Sequence, residues 1–145
     1  MEFKLRNGGV TIIDEEDLDR ISKHKWRKSD KGYVIGYIPS IDKQIYLHRF
    51  ILCIENIGRE IEVDHKNRNP LDNRKENLRL CSRSENLVNT KARNKNGYKG
   101  VYLRKDGMYE ARISVLIGVF DDIKKAADAF ENESIKRYGI FAKQE

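Results

Sequence analysis

VDHKNRNPLDNRKENLRLCSRSENLVN, Val63–Asn89, is the stretch that decides how this chain folds. A short apolar run ends in the pair Asp64-His65, an Asn-rich polar loop follows, and a second apolar run, NLRLC, comes after the loop. The next residues, SRSE, place a serine three positions before a glutamate, which is the capping-box pattern of a helix start. The predicted order is therefore strand, loop, strand and helix, with an acid and a base where the first strand ends.

The pair Asp64-His65 has the chemistry that hydrolysis of a phosphodiester requires. Water must lose a proton, and the charge on the phosphorane and on the leaving oxygen must be stabilised. The carboxylate of Asp64 is a ligand for a hard divalent cation. The imidazole of His65 has the pKa range of a general base near neutral pH. Adjacent side chains of a strand point to opposite sides, so the two residues can divide these tasks.

The rest of the stretch supplies two further candidate site residues. A helix that starts at Ser82 places Asn86 one turn in, where its amide oxygen can complete a metal site with Asp64. One carboxylate and one amide make a weak site, so tight metal binding is expected to need DNA phosphate. Asn77 opens the second strand, where its side chain can bridge the loop and fix His65. The small core of strand and helix is expected to contain Leu78, Leu80 and Leu87.

These motifs together resemble the HNH motif of phage and intron-encoded homing endonucleases, which have a ββα-metal fold. The resemblance implies a metal-binding aspartate at Asp64, a general-base histidine at His65, a loop-bracing asparagine at Asn77 and a final metal ligand at Asn86. It also implies one divalent cation per active site, Mg²⁺ or Mn²⁺, and double-stranded DNA as the partner. The alternative is an inactive copy of the motif or a chance Asp-His pair. The ordered series DH, NP, DNR, NLR and the final Asn favours a nuclease.

Composition excludes several other classes for this 145-residue chain. No apolar run approaches the roughly 20 residues that span a bilayer, and the N-terminus lacks the hydrophobic segment of a signal peptide. Cys53 and Cys81 form no CxxC pair, so neither a disulfide framework nor a structural zinc site is expected. We therefore expect a cytoplasmic protein, in a bacterial or phage-infected host cytosol, with no membrane partner and no small-molecule cofactor beyond the metal.

The N-terminal third predicts small antiparallel elements. Residues 3–13 read as a hairpin, Asp14 as the N-cap of a helix over 15–26, and the buried side of that helix as Leu18, Ile21 and Trp26. Two strands follow, at Tyr33–Ile38 and Gln44–Leu47, and a second helix begins near His48. A helix start can receive a phosphate, so His48 and Arg49 are possible phosphate contacts, with a purely structural role as the alternative.

Positive charge is concentrated in residues 61–100, which carry ten Lys or Arg against five Asp or Glu, within a net charge of +6. Such a stripe indicates either a solvated linker or contact with a phosphate backbone, and its position beside the Asp-His pair favours nucleic acid. The expected DNA contacts in this stripe are Arg83, Lys91, Arg93, Lys95 and Lys99. Residues 91–97 read as an extended basic linker that can also act as a simple tether.

The C-terminal segment predicts a hairpin followed by one helix. Tyr98–Leu103 and Tyr109–Val115 flank a Lys-Asp-Gly turn, and the helix runs from an Asp121-Asp122 cap to Tyr138. One face of the hairpin is expected to show three DNA-contacting side chains, namely Tyr102, Arg104 and Arg112.

The stretches GYKGVY, MYEARI, IGVFDD and KKAADAFENESIKRYGIFA resemble the Apetala-type DNA-binding domain of ethylene-response factors. That resemblance implies a three-stranded sheet that enters the major groove, with the helix packed behind it. The usual turn residues are missing between Ile113 and Ile117. The third strand, near Leu116–Phe120, is therefore expected to be short or absent, and Arg104 and Arg112 then contact only phosphates.

The predicted fold class is α+β, with N-terminal antiparallel strands and short helices leading into the ββα-metal motif, then a small sheet with one helix. The predicted domains are a nuclease domain at 1–90 with its core at about 61–90, the linker at 91–97 and a DNA-binding domain at 98–145. The predicted function is metal-dependent endonuclease cleavage of duplex DNA by a monomer, with homing implied by the resemblance alone. The rival is a non-catalytic DNA-binding regulator built on an inactive HNH scaffold. An RNA-binding module is disfavoured because no run of stacking aromatics is present.

Overall fold

The computed structural model describes residues 1–58 and 60–142 and divides the chain into two compact units, Met1–Arg83 and Ser84–Glu145. Small antiparallel sheets and mostly short helices make up both units, which agrees with the predicted α+β class. No helix within the described residues has the length and apolarity needed to cross a membrane. The division falls inside the predicted nuclease domain at 1–90, whose limits remain a prediction.

The first unit begins with a hairpin and a three-stranded sheet. Strands β1 and β2 pair antiparallel around the Asn-Gly-Gly turn, where the two glycines adopt the positive φ that such a turn needs. A single 3₁₀ turn and helix α1 lead into the sheet β3-β4-β5, and helix α2 follows. The bounds are β1 Glu2–Lys4, β2 Val10–Ile12, 3₁₀ turn Glu15–Asp17, α1 Leu18–Ser22, β3 Trp26–Lys28, β4 Val34–Ile38, β5 Lys43–Tyr46 and α2 Leu47–Ile51.

The same unit ends in a two-stranded antiparallel ribbon of β6, Glu62–His65, and β7, Leu78–Cys81. The ribbon places Asp64 opposite Arg79 and His65 opposite Leu78. The loop that connects the two strands is joined to β2 by a parallel bridge between Ile12 and Asp72. The N-terminal hairpin therefore packs directly against the loop that follows the Asp-His pair.

A single apolar core holds these elements of the first unit together. Trp26 is almost fully buried, and its indole Nε1 donates a hydrogen bond to the carbonyl of Ile21 at 2.9 Å. Gly36 lies against the indole, and a Cβ at this position would come within 2.6 Å of the ring, so only glycine permits this close approach. The core comprises Leu5, Ile13, Ile21, Trp26, Val34, Ile38, Ile45, Leu47, Phe50, Ile51, Ile54, Val63 and Leu78.

Two predictions for this unit are wrong in detail. The helix expected over 15–26 ends at Ser22, and Trp26 enters the core from a strand, where a β-favouring aromatic is common. Asp14 makes no side-chain cap, because its carboxylate instead accepts a hydrogen bond from the backbone N–H of Lys75 at 2.8 Å.

The predicted core of strand and helix is also only partly right. Leu78 is buried, but Leu80 and Leu87 are exposed. Within β7 the other buried residue is Cys81, and within α3 the buried residue is Val88.

The second unit contains helix α3, a three-stranded antiparallel sheet and helix α4. Helix α3, Arg83–Val88, spans the division between the units and begins directly after Ser82, as the capping pattern predicts. Asp122 caps α4, because its carboxylate accepts hydrogen bonds from the backbone N–H groups of the first turn. The bounds are β8 Val101–Leu103, β9 Tyr109–Ile113, β10 Val115–Phe120 and α4 Ile123–Tyr138. One face of the sheet packs on α4 through Val101, Ala111 and Ala126.

The prediction of a short or absent third strand is wrong. Strand β10 is six residues long and pairs with β9 along its length. The connection needs no glycine or proline because Ser114 itself takes a positive φ of 56° and closes a minimal turn. A bulge between Leu116 and Gly118 then shifts the register by one residue. The three strands and the helix are the elements that the Apetala-type resemblance implies, and the kinship itself remains a prediction.

Candidate active site

Asp64 and His65 are the last two residues of β6, and both side chains are buried, with exposed fractions of 4% and 6%. Strand geometry sends them to opposite sides of the ribbon. Asp64 contacts the cross-strand residue Arg79, whereas His65 contacts the loop that follows β6. Asp64 and His65 therefore lie in two separate environments, as their predicted roles of metal ligand and general base require.

The carboxylate of Asp64 forms an ion pair with the guanidinium of Arg79. The distances from Asp64 Oδ2 are 2.7 Å to Nε and 2.6 Å to Nη2 of Arg79. Both side chains are largely shielded from water, and the register of β6 and β7 sets them directly opposite each other. A charged hydrogen-bonding partner of this kind offsets the cost of burying the carboxylate.

The imidazole of His65 is held by an asparagine of the loop. His65 Nε2 lies 3.2 Å from Oδ1 of Asn73, whose side chain is only 1% exposed. The amide Nδ2 of Asn73 donates to Thr11 Oγ1 at 2.8 Å and to the carbonyl of Pro70 at 3.3 Å. His65 is therefore tied, through Asn73, to strand β2 of the N-terminal hairpin.

Two rings contact the imidazole of His65. The ring of His48 lies edge-on at a centroid distance of 5.3 Å, and the ring of Tyr33 lies at 6.0 Å. His48 is in turn stacked on Tyr46, with 5.2 Å between centroids and 7° between planes. The contacts with Tyr33 and His48 limit the rotation of the His65 ring.

Burial sets the charge state of both histidines. It lowers the pKa of His48 to about 3, with a smaller contribution from the nearby His65. Burial also lowers the pKa of His65, although the hydrogen bond to Asn73 and the charges of Asp64 and Asp72 oppose that shift. Both rings are accordingly neutral near pH 7, and a neutral imidazole is the form that can accept a proton.

The predicted phosphate contacts, His48 and Arg49, have structural partners in this unit. His48 is buried among the aromatic rings. Arg49 donates to backbone carbonyls of the segment after α2, at 2.9 Å to Ile61, 3.0 Å to Ile54 and 2.5 Å to Ile57. These contacts favour the structural alternative for both residues.

Asn77 lies at the end of a 3₁₀ turn, Lys75–Asn77, directly before β7. Its side chain exchanges two hydrogen bonds with Asn67, from the Asn67 N–H to Oδ1 and from Nδ2 to Asn67 Oδ1, both at 3.0 Å. Nδ2 also donates to the carbonyl of Asp72 at 2.7 Å. These bonds join the two ends of the loop, and the contact to the His65 ring comes from Asn73.

The ion pair of Asp72 and Arg74 also stabilises this loop. The guanidinium of Arg74 binds both carboxylate oxygens of Asp72, each at 2.8 Å. This hydrogen bonding is the main reason that the pKa of Asp72 is lowered. The loop that carries Asn73 is therefore fixed on both sides of that residue.

The predicted metal ligands Asp64 and Asn86 belong to different parts of the chain. Asn86 is half-buried on α3 in the second unit, and its pairing with Asp64 remains a prediction. Over the described ranges, no group of three or more His, Cys, Asp or Glu side chains is placed to hold a metal ion. The predicted donors are one carboxylate and one amide oxygen, a hard set that suits Mg²⁺ or Mn²⁺ better than zinc.

The predicted DNA contacts of the basic stripe are mostly exposed. Arg83 is the first residue of α3, and Lys91, Arg93 and Lys95 are exposed in the segment that leads to the sheet. Lys91 and Arg93 line one depression of the second unit together with Tyr102. This segment has no helix or strand but is not simply extended, because side-chain amides of asparagines within it donate to the carbonyl of Val101.

Lys99 differs from the other predicted contacts. Its ammonium group donates to the carbonyls of Leu87, Val88 and Thr90 at 2.7, 2.5 and 2.6 Å. These are carbonyls at the C-terminal end of α3, where a cation is favoured by the helix dipole. The geometry gives Lys99 a helix-capping role.

The sheet of the second unit displays the remaining predicted contacts. The register places Tyr102 opposite Glu110, so Tyr102 and Arg112 share the face turned away from α4. Arg112 Nε lies 2.9 Å from Glu110 Oε1. Arg104 lies beyond β8 in the turn and pairs with Asp106 at 2.8 Å. Each arginine is therefore held in place by an acidic neighbour on the exposed surface.

Sequence reasoning missed three residues of the first unit, namely Thr11, Asn73 and Arg79. Asn73 is part of the DNR motif, which reads as a turn and gives no sign that its side chain reaches His65. The contact of Arg79 with Asp64 can be inferred only when the register of β6 and β7 is known. Thr11 lies 62 positions from its partner Asn73, and no local pattern indicates that contact.

Comparisons with known proteins identify the family to which the chain belongs. The family model of the HNH endonucleases matches residues 46–88, from the end of β5 through α3. The chain is 35% identical, over 98% of its length and 75% of the relative's, to an uncharacterized HNH endonuclease of Acanthamoeba polyphaga mimivirus. No solved structure matches it. The chain therefore belongs to the HNH endonuclease family, a family of nucleases that act on DNA.

Proposed function

We propose that this protein is a divalent-metal-dependent endonuclease that hydrolyses phosphodiester bonds in duplex DNA, with His65 as the general base. The observation that carries the proposal is the pair Asp64-His65 at the end of β6, inside the region that matches the family. The pair combines a buried carboxylate with a neutral, hydrogen-bonded imidazole.

His65 removes the proton from the attacking water in this proposal. Burial keeps the ring neutral, Asn73 holds it at Nε2, and the rings of Tyr33 and His48 limit its rotation. A fixed, neutral base near its working pH accelerates such a step by roughly 10²–10⁴-fold. Asn77 contributes by holding the loop that carries Asn73.

Asp64 and Asn86 are the residues that would hold the metal through their side-chain oxygens. A bound Mg²⁺ or Mn²⁺ supplies Lewis-acid stabilisation of the charge on the phosphoryl group and on the leaving 3′ oxygen. Arg79 holds the Asp64 carboxylate in position on the ribbon. Because these protein donors are few, we expect metal affinity to rise when DNA phosphate is present.

Duplex DNA is the proposed substrate because the second unit combines exposed cations with an open sheet face. Lys91, Arg93 and Lys95 can follow a phosphate backbone, and Tyr102 and Arg112 lie on an exposed face of the sheet. A β-ribbon can enter the major groove. One active-site motif per chain supports nicking by a monomer. The homing role is proposed on the resemblance to phage and intron-encoded endonucleases.

The test is cleavage of a supercoiled plasmid, with nicked and linear products separated on a gel. We expect cleavage with Mg²⁺ or Mn²⁺ that is abolished by EDTA. His65→Ala should lose cleavage and keep DNA binding in a gel-shift assay. The matched control is His24→Gln, because His24 packs against Trp26 and Phe50 and has no place in the proposed mechanism.

Three results would contradict parts of this proposal. If wild-type protein binds duplex DNA but cuts no more than His65→Ala, the protein is a DNA-binding regulator on an inactive scaffold. Cleavage that persists in EDTA would exclude the metal. Linear product that forms without a nicked intermediate would exclude nicking by a monomer.

A further inference from the structure

We propose that Asn73 and Thr11 are positioning residues that hold His65 as the tautomer protonated at Nε2, so that Nδ1 is the atom that accepts the proton from water. The inference rests on the proposed function for its catalytic meaning. The tautomer itself can be tested without any cleavage. It also extends the active site to strand β2, which lies outside the matched residues 46–88.

The argument starts from the hydroxyl of Thr11. Thr11 Oγ1 lies 2.8 Å from the carbonyl oxygen of Leu71, and a carbonyl can only accept a hydrogen bond. The single hydroxyl proton of Thr11 is therefore used on Leu71. Toward Asn73, at 2.8 Å, Thr11 Oγ1 can then act only as an acceptor.

The next step fixes the side-chain amide of Asn73. The atom that faces Thr11 Oγ1 must be a donor, and so must the atom that faces the carbonyl of Pro70 at 3.3 Å. Both requirements are met when the NH₂ group lies on this side. Two acceptors of independent origin therefore set the orientation of an amide whose oxygen and nitrogen are otherwise alike in shape.

The orientation of Asn73 then dictates the tautomer of His65. With NH₂ turned to Thr11 and Pro70, the oxygen Oδ1 faces His65 Nε2 at 3.2 Å, the long end of the hydrogen-bond range. An amide oxygen only accepts, so Nε2 must carry the proton. In a neutral imidazole this leaves the lone pair on Nδ1.

Burial and backbone pairing make this relay rigid. Thr11 is fully buried and Asn73 is 1% exposed, so water does not replace a lost partner. Strand β2 is joined to the loop by two backbone bonds of 2.8 Å, from Ile12 N to the Leu71 carbonyl and from Asn73 N to the Ile12 carbonyl. The Nδ1 tautomer would set two lone pairs against each other between Asn73 and His65.

The direct test is two-dimensional ¹⁵N–¹H correlation of the imidazole rings in the full-length, metal-free protein at pH 7.5. Comparison with His65→Gln assigns the signals of His65 among the chain's three histidines. We expect wild-type His65 to show a protonated Nε2 and an unprotonated Nδ1. A wild-type spectrum with the proton on Nδ1 overturns the proposal.

Variants test the relay behind the tautomer. Asn73→Ala should give a mixed tautomer population and lower kcat by roughly tenfold to a hundredfold, the usual effect of removing a group that orients a catalytic side chain, with KM unchanged. Thr11→Val should also give a mixed tautomer population and a lower kcat. Thr11→Ser, which keeps the hydroxyl, should have the tautomer and kcat of the wild type. Fluorescence of Trp26 reports whether each variant is folded, and if Asn73→Ala is unfolded the two Thr11 variants decide the question.

The outcomes separate this inference from the proposed function. Nε2 protonation in a wild-type protein that cuts no DNA would refute the nuclease proposal and leave the relay in place. Unchanged tautomer and kcat in Asn73→Ala, or equal behaviour of Thr11→Val and Thr11→Ser, would refute the relay and leave the nuclease proposal in place.

Discussion

Arg79 binds the carboxylate of Asp64 from the opposite strand, with Nη2 2.6 Å and Nε 2.7 Å from Oδ2. The two side chains retain only 13% and 5% of their exposure to solvent. The residue predicted to hold a metal is thus paired with a protein cation inside the first unit. Loss of one partner would remove a short ion pair from a buried charge, which is more costly than loss of an exposed pair.

Arg79→Ala is therefore expected to lower the free energy of unfolding by about 3–5 kcal/mol, the range for breaking a buried pair from one side. Replacement of both charges, in Asp64→Asn with Arg79→Met, should recover most of that loss. Urea unfolding followed by Trp26 fluorescence measures the change, because Trp26 is the only tryptophan and lies in the apolar core of the first unit. Lys23→Ala, which removes the exposed Lys23–Asp19 pair, is the control and should leave the midpoint unchanged. Equal midpoints for Arg79→Ala and Lys23→Ala would contradict the prediction.

His48 makes stability depend on pH in the weakly acidic range. Its pKa is about 3 in the folded chain, against an ordinary value of 6.5. Because the unfolded chain binds the proton more readily, the stabilising effect of the neutral ring is complete above pH 6.5 and is lost as pH falls toward 3. Between pH 7 and pH 5 the loss from His48 amounts to about 2 kcal/mol. Urea titrations at several pH values measure how the free energy of unfolding changes with pH.

The variant that checks this assignment is His48→Phe, which keeps a ring against Tyr46 and cannot titrate. Its unfolding free energy should fall less steeply between pH 7 and pH 5 than that of the wild type. Part of the slope should remain, since the pKa of His65 is lowered by burial as well. An unchanged slope in His48→Phe would show that His48 is not the group responsible.

Local patterns were enough to predict most of the elements that carry the site. The Asn-Gly-Gly turn, the apolar runs around the loop and the capping pattern at Ser82 place β1, β2, β6, β7 and the start of α3. These signals are short in range, because each depends on residues within one strand or one helical turn. The prediction of a short or absent third strand failed for an equally local reason. Ser114 takes a positive φ, a conformation that is uncommon for a residue other than glycine.

The contacts of the site could not be predicted in the same way. Arg79 reaches Asp64 only because the register of β6 and β7 places the two residues opposite each other. Thr11 reaches Asn73 only because the N-terminal hairpin docks on that loop, through a bridge between residues far apart in the sequence. Tertiary packing decides both contacts. The motif therefore predicts which residues react, and the fold determines which residues hold them.

Asn77 is predicted to stabilise the loop as a unit. Asn77→Ala removes the acceptor for the Asn67 N–H and the donor for the Asp72 carbonyl, so we expect a loss of about 2 kcal/mol or more in unfolding free energy. Cleavage should fall with it, because Asn73 is carried by the same loop. The control in this loop is Asn69→Ala, which removes an exposed contact to the Leu71 N–H and should change little. Faster amide hydrogen exchange over 66–76 in Asn77→Ala alone would support the prediction, and equal exchange in both variants would contradict it.

Lys95 and Lys99 are expected to have different roles, although the sequence predicts a DNA contact for both. Lys95 is exposed, so Lys95→Ala should weaken binding to any duplex and reduce the slope of log affinity against log salt by about one. The ammonium of Lys99 instead donates to carbonyls at the end of α3, so Lys99→Ala should speed amide exchange across α3. Lys124→Ala, at the exposed start of α4, controls for the loss of one positive charge. Fluorescence anisotropy over a salt series and hydrogen exchange measure the two effects. If Lys99→Ala changed only the salt slope and left α3 exchange as in the wild type, Lys99 would be a phosphate contact, because a capping lysine must affect the helix whose carbonyls it binds.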